Sequence, residues 1–473
     1  MRCLSVHFFS LLVVVSLMTA ENCPAQLGGG GQPGGGGGQQ PGGGFGQGQG
    51  NFPGGIMISP DGVVAGIQPS VNPRLLRTRQ QAFLQHDLPE SVNSKSQLRV
   101  VSLNRLEAAC VQLSKQQKPL PTEMQYFAGI HQLQYVFVCR ETKDLLIAGP
   151  AGGFAPDASD RMRGISSGRP PLVLQDLLTL LRLNDIRTQL GCSFDPNKNR
   201  MAQTQAWYRS NSGASSAAVA RQRLVHAAGI LGTWDVTVFG LPDDSHAALT
   251  AVEADYRLKR VALGLDRLRV RGLRSHLDLA GRNENIFRRW WFAPHYESIE
   301  KAVDGLTYRF NGPRLQLLSQ EELIDEFGNR SDAPFKQVSS ERFTQQFNRQ
   351  MDDICRQVPA FAAVQNLFDL AVLVALMQKE DLPGQVDWQP ELFLDSDRLP
   401  LPKYSVPTSV PSEVNAKMLN RSLFVGLIGG GVVLRPQQVI ARPVELQVDS
   451  PLRVEQIPTD SAKWWWDAGP DEP

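Results

Sequence analysis

Net charge is nearly absent from this chain. Its 473 residues carry 48 Lys and Arg against 47 Asp and Glu, a balance of +1. A dedicated nucleic-acid binder is usually strongly basic, so no nucleic acid is expected as a partner. Cysteine is also scarce, six in all, and no two stand as CxxC, which excludes the common zinc and redox pairs. The seven His form neither HExxH nor HxH, so neither a metal nor a cofactor is expected. No period of 20–50 residues repeats, which excludes solenoids and propellers. Long apolar runs are missing too. The run from Phe8 to Met18 is too short to span a bilayer, and the apolar stretch 360–379 holds Gln365, Asn366 and Asp369. The stretch therefore reads as a buried helix, and no transmembrane span is expected after signal cleavage.

Glycine, by contrast, is concentrated. Of 42 Gly, 17 lie between Gly28 and Gly55. Residues 1–25 read as a signal peptide cut after Ala25, because Cys23 and Ala25 place small residues at the −3 and −1 sites. Cleavage after Ala20 and retention as an N-terminal anchor are the alternatives. Residues 26–55 are Gly, Gln and Pro with only Phe45 and Phe52 to bury, so they read as a disordered spacer. Export leaves four cysteines, Cys110, Cys139, Cys192 and Cys355. They suit either two disulfides or four buried thiols.

The remainder reads as α+β: mixed helices and antiparallel hairpins in one large globular unit, with a division into two lobes as the finer option. An N-terminal lobe is expected over 56–150, a linker over 151–171, and a core over 172–381. A Pro-rich extended segment over 382–411 and C-terminal strands with a Trp tail over 412–473 complete the layout. Ser102 is placed to cap a helix over 102–117. Residues 132–140 and 145–148 read as a hairpin. Asn311-Gly312 between 306–310 and 314–318 is the best short hairpin signal in the chain.

The helix expected over 245–263 is apolar around about two-thirds of its circumference. Asp255 and Lys259 fall in the middle of that apolar face, four residues apart. Burying either alone would cost several kcal/mol, so a buried ion pair, or Asp255 holding a neighbouring Arg, is expected.

Motifs that carry chemistry are thin. Gly164 to Gly168 matches GxSxG but lies in a loop without the flanking strand and helix. Ser298 to Lys301 matches SxxK without its partner motifs, and reads as the first turn of a helix. Gly429-Gly430-Gly431 lacks the Lys of a P-loop and reads as a bulge or close contact in a strand. Ten Lys and Arg face four acids between Asp255 and Arg289, ending at Arg288-Arg289-Trp290-Trp291. Those four are candidate binding residues for an anionic polymer or a sugar ring. Trp464-Trp465-Trp466 either docks back on the body or offers a partner a sticky tip. Residues 380–473 hold 14 acids against 8 bases, so the basic centre and acidic end are expected to face each other or one partner.

Several segments together resemble an uncharacterised family of exported planctomycete proteins, the DUF1598 domain of unknown function. They are Gln134 to Val138 with Leu146 to Ala151, Gly191 to Pro196, Val236 to Gly240, Val252 to Arg260 with Gly264-Leu265, and Arg289 to Pro294. The resemblance implies export and a bacterial envelope setting, but no activity or catalytic residue. The expected function is a non-catalytic periplasmic or cell-surface protein that binds or scaffolds an envelope protein or glycan. The alternative is a carboxylate-dependent hydrolase of envelope glycan using Asp235, Asp243 or Asp244. Composition and spacing leave the oligomeric state open.

Overall fold

A computed structural model describes residues 56–58, 63–66, 72–211, 216–281, 287–325, 327–413, 415–419, 422–441, 444–446 and 450–468. The expected signal peptide, the Gly-rich stretch and the expected turn at 59–62 lie outside the described residues. The fold is α+β, and its sheets are mostly antiparallel.

The larger sheet has eight strands. In spatial order they are Arg330–Asp332, Arg314–Ile324, Phe287–His295, Ser422–Leu434, Leu190–Pro196, Thr233–Phe239 and Ser409–Pro411. The eighth, Asn415–Leu419, pairs with Ser422–Leu434 off this path. The seven-stranded sheet runs Val444–Leu446, Ser298–Ala302, Thr307–Asn311, Tyr135–Cys139, Asp144–Ala151, Ser96–Ser102 and Trp465–Asp467.

Helix Pro359–Glu380 packs against helices Leu174–Leu181 and His246–Ala262 and against strand Arg314–Ile324. Pro359 opens it where a missing N–H costs nothing. By length and composition this helix could cross a membrane, yet nearly all of it is buried inside the fold. One buried apolar cluster runs from Val64 to Trp464 and joins the two sheets.

Several sequence expectations change. Segment 151–171 is not a linker. Phe154 and Ala155 are buried, strands Phe154–Pro156 and Met162–Gly164 pair, and the Pro170 carbonyl accepts from Asn366 at 3.0 Å. Its Gly, Pro and Ser shape a packed hairpin and do not loosen the chain. Asn311-Gly312 does not close a hairpin. Thr307–Asn311 pairs with Ser298–Ala302 and Tyr135–Cys139, while Arg314–Ile324 pairs with Phe287–His295. The turn therefore hands the chain from one sheet to the other, with Gly312 at φ +103°. Turn chemistry reverses the chain locally, but the strands lying alongside decide the pairing. Ser298 to Lys301 is strand and not helix. Helices Val338–Arg349 and Met351–Gln357 meet at Gln350, where the backbone leaves the helical path.

Strand Ser422–Leu434 continues through its three glycines. A Cβ at Gly430 would collide with the Trp290 carbonyl and one at Gly431 with the Cys192 carbonyl, so close strand approach requires glycine there. The Trp tail docks on the body. Trp465–Asp467 adds an edge strand to Ser96–Ser102. Buried Arg99 donates to Asp467 at 2.7 Å and to the carbonyls of Ala128 and Val92 at 2.7 and 3.0 Å. Trp466, Leu452 and Ile457 then cover Val100, Phe137 and Leu146 on the second side of the seven-stranded sheet. Among the described residues Cys110, Cys139, Cys192 and Cys355 are free thiols, and burial pushes Cys110, Cys139 and Cys355 up to about 12.

Candidate functional site

Helix His246–Ala262 supplies two of the three regions that hold reactive side chains. Inside the fold, Lys259 Nζ lies 2.6 Å from Asp255 Oδ2, and both residues are buried. The ammonium also sits 3.4 Å from the centroid of Phe194. Burial pushes the Asp255 carboxyl up and the Lys259 amine down, and each partner offsets part of the other's shift. Gly430 lets the strand pass directly over the carboxylate. The pair has no route to solvent, so it serves as a clasp between helix and sheet.

The second region lies at the start of the same helix. Ser245 Oγ accepts from the Ala248 N–H at 3.1 Å and donates to the Pro242 carbonyl at 2.7 Å. This cap fixes His246 as the first helical residue. His246 Nδ1 meets Asp176 Oδ1 and Oδ2 at 2.9 and 3.1 Å. A carboxylate accepts, so Nδ1 carries a proton, and in the neutral imidazole this leaves Nε2 as the acceptor. The Tyr404 ring stands edge-on to the imidazole at 5.4 Å, and the Gln175 amide donates to its hydroxyl at 2.9 Å. Gln175, Pro242, Ser245 and His246 border a cavity of about 310 Å³ between helix Leu174–Leu181, the helix start and segment 396–403. Arg182 pins the far wall by donating to the carbonyls of Phe393, Asp395 and Leu399 at 2.7, 3.2 and 2.9 Å.

The third region is the outward side of the larger sheet. Strand residues alternate sides, so Phe287–His295 sends 288, 290 and 292 one way and 289 and 291 the other. Arg288 and Trp290 are interior, which corrects their assignment to a binding surface. Arg288 lies 3.6 Å from Glu321, and Trp290 stacks on Phe343 at 4.7 Å. Arg289 and Trp291 reach the surface, with the guanidinium 5.3 Å from the indole centroid. Arg289 also lies 3.5 Å from Asp332. The pairing register places Thr237, Ser193, Gly431, Trp291 and Leu318 in one cross-strand row.

The three candidate acids do not assemble. Asp235 is an exposed strand residue opposite Asp195 and Ser409. Asp243 is exposed in the turn before the helix. Asp244 borders the cavity but is paired with Lys403 at 2.8 Å. Among the described residues no group of three His, Cys, Asp or Glu could hold a metal ion.

Residues 192–276 match the model of a family described as a protein of unknown function (DUF1598). The match spans less than a fifth of the chain. No curated protein and no solved structure matches it. The DUF1598 segment contains His246, Asp255, Lys259 and the three candidate acids. Asp176, Lys403, Tyr404, Arg289 and Trp291 lie outside it, so both surface regions combine the DUF1598 segment with other parts of the chain.

Sequence reasoning missed the pairing of His246 with Asp176, which are 70 residues apart. A signal was present. Asp176 is a lone acid in an otherwise apolar helix, the same anomaly that drew attention to Asp255.

Proposed function

We propose that the protein is exported and acts by binding and not by catalysis, holding an envelope glycan or protein on the outward side of its larger sheet. The apolar run at 8–18 and the Gly-rich stretch behind it support a cleaved signal and a place in the periplasm or at the cell surface of a planctomycete. One observation carries the binding reading. Trp291 and Leu318 stand together on the sheet outside both packed apolar clusters, and Gly431 beside them presents no side chain. A half-open indole flanked by a guanidinium suits the C–H face and hydroxyls of a sugar, or an aromatic side chain.

The test is co-sedimentation of the full chain with isolated envelope polysaccharide, beside capture of envelope proteins. Trp291→Ala should reduce retention about tenfold, the effect of losing about 1.4 kcal/mol. Retention equal to that of the unaltered protein would sink the reading. A carboxylate-dependent glycan hydrolase has less support, because Asp235 and Asp243 are exposed and Asp244 is paired with Lys403.

A further inference from the structure

The cavity beside His246 plays no part in the sheet-face reading and stands on its own geometry. At about 310 Å³ it falls at the small end of ligand pockets, with room for one substituted ring and not for a polymer. Its walls are largely apolar, formed by Leu183, Pro242, Pro400, Leu401 and Pro402. Prolines cannot fold inward to fill such a space, and Arg182 ties the chain just before them to the helix beneath.

The few polar groups share one character. His246 Nε2 is an acceptor, because Asp176 holds the ring proton on Nδ1. Thr179 Oγ1 spends its proton on the Gln175 carbonyl at 2.7 Å and keeps its lone pairs. Gln175 and the Tyr404 hydroxyl are satisfied by each other, at 2.9 and 3.1 Å. The two charges on the rim, Asp244 and Lys403, neutralise one another at 2.8 Å. The cavity thus offers acceptors and apolar walls, its rim pair is closed on itself, and its one further cation, Arg182, is turned onto three carbonyls of the far wall. An anion would have to compete with those carbonyls for Arg182, and a purely apolar ligand would leave the imidazole unmatched. What remains is a compact ligand rich in hydroxyl donors with an apolar C–H surface.

We propose that this cavity is a binding site for a single neutral sugar ring, with one hydroxyl donating to His246 Nε2, another to Thr179 Oγ1, and the ring's C–H face against the prolines. Asp176 is a positioning residue here. It sets the tautomer and rotation of His246 without touching the sugar.

Calorimetric titration of the full chain with galactose, glucose and N-acetylglucosamine, beside the acidic sugar galacturonate, tests this. At least one neutral sugar should bind at one site per chain. His246→Ala should weaken it about tenfold, the effect of one lost hydrogen bond. Asp176→Asn should weaken it less, because the imidazole remains but its tautomer is released, and Asp176→Glu should recover part of the loss. Thr179→Val, nearly isosteric, gives a severalfold loss and serves if His246→Ala does not fold. Binding of galacturonate alone would overturn the proposal in favour of an anion site. Absence of binding by every neutral sugar, or binding indifferent to both His246→Ala and Thr179→Val, would overturn it outright. Because the titration uses monosaccharides and these variants, its failure leaves the polymer test at Trp291 unaffected.

Discussion

The two large sheets are finished differently. The seven-stranded sheet is covered on both sides, by the main apolar cluster on one and by the C-terminal segment with Trp466, Leu452 and Ile457 on the other. The eight-stranded sheet buries Trp290, Phe292 and Phe194 against helices. Its opposite side leaves Arg289, Trp291, Thr237 and Asp235 partly or fully exposed. The chain thus uses its last described residues to close one sheet and leaves the other open. A side of a sheet that a fold covers contributes stability, and one it leaves open is available for contact.

Substitutions can break or sharpen this contrast. The largest effect is expected on the covered side of the open sheet. Lys259→Met strands the Asp255 carboxylate in the interior and should cost about 4 kcal/mol in urea unfolding, the range for breaking a buried pair. A loss under about 1 kcal/mol would mean that the pair is not enclosed as described. Next, Trp466→Ala uncovers the second side of the seven-stranded sheet and should cost about 3 kcal/mol.

A smaller effect depends on pH. Asp369 lies on the central helix, accepting from the Tyr296 hydroxyl at 2.8 Å and facing Arg314 at 3.1 Å. Burial pushes its carboxyl from 3.8 to about 6, against the pull of Arg314 and the Tyr296 hydrogen bond. A raised folded value means that the fold favours the protonated form. The stability this group contributes is therefore full below 3.8 and lost as pH rises through about 6. Urea midpoints measured across that window should fall for the natural chain and fall less for Asp369→Asn. The smallest effect is at Trp291. Replacement by Ala on the open side should change stability by about 0.5 kcal/mol or less, while still reducing retention on the partner about tenfold.

Local features of this fold were legible in the sequence, and distant ones were not. Helix His246–Ala262 and its buried Asp255 and Lys259 could be read because a 3.6-residue period and a four-residue spacing are local. The same holds for Ser102, whose hydroxyl accepts from the Arg105 N–H at 3.3 Å as a cap should. Asn311-Gly312 misled because a hairpin signal says nothing about which strands lie alongside. Segment 151–171 misled because Gly, Pro and Ser shape tight packed turns as readily as loose ones. The sequence groups Arg288 to Trp291 as one candidate, and only the packing of the strand separates Arg289 and Trp291 from Arg288 and Trp290. The His246 cavity needed helix Leu174–Leu181, the helix start and segment 396–404 brought together, and no local pattern encodes that meeting.

Trp465–Asp467 pairs with Ser96–Ser102, more than 360 residues earlier in the chain. Until residue 467 has been synthesised, Ser96–Ser102 presents a bare hydrogen-bonding edge, and Arg99 lacks the Asp467 carboxylate. Such a nascent chain stays incomplete throughout translation. It offers an unpaired strand to whatever accompanies it until residues 465–467 pair there. Closure of this sheet is therefore among the last events open to a growing chain, after every other strand of the sheet has been made.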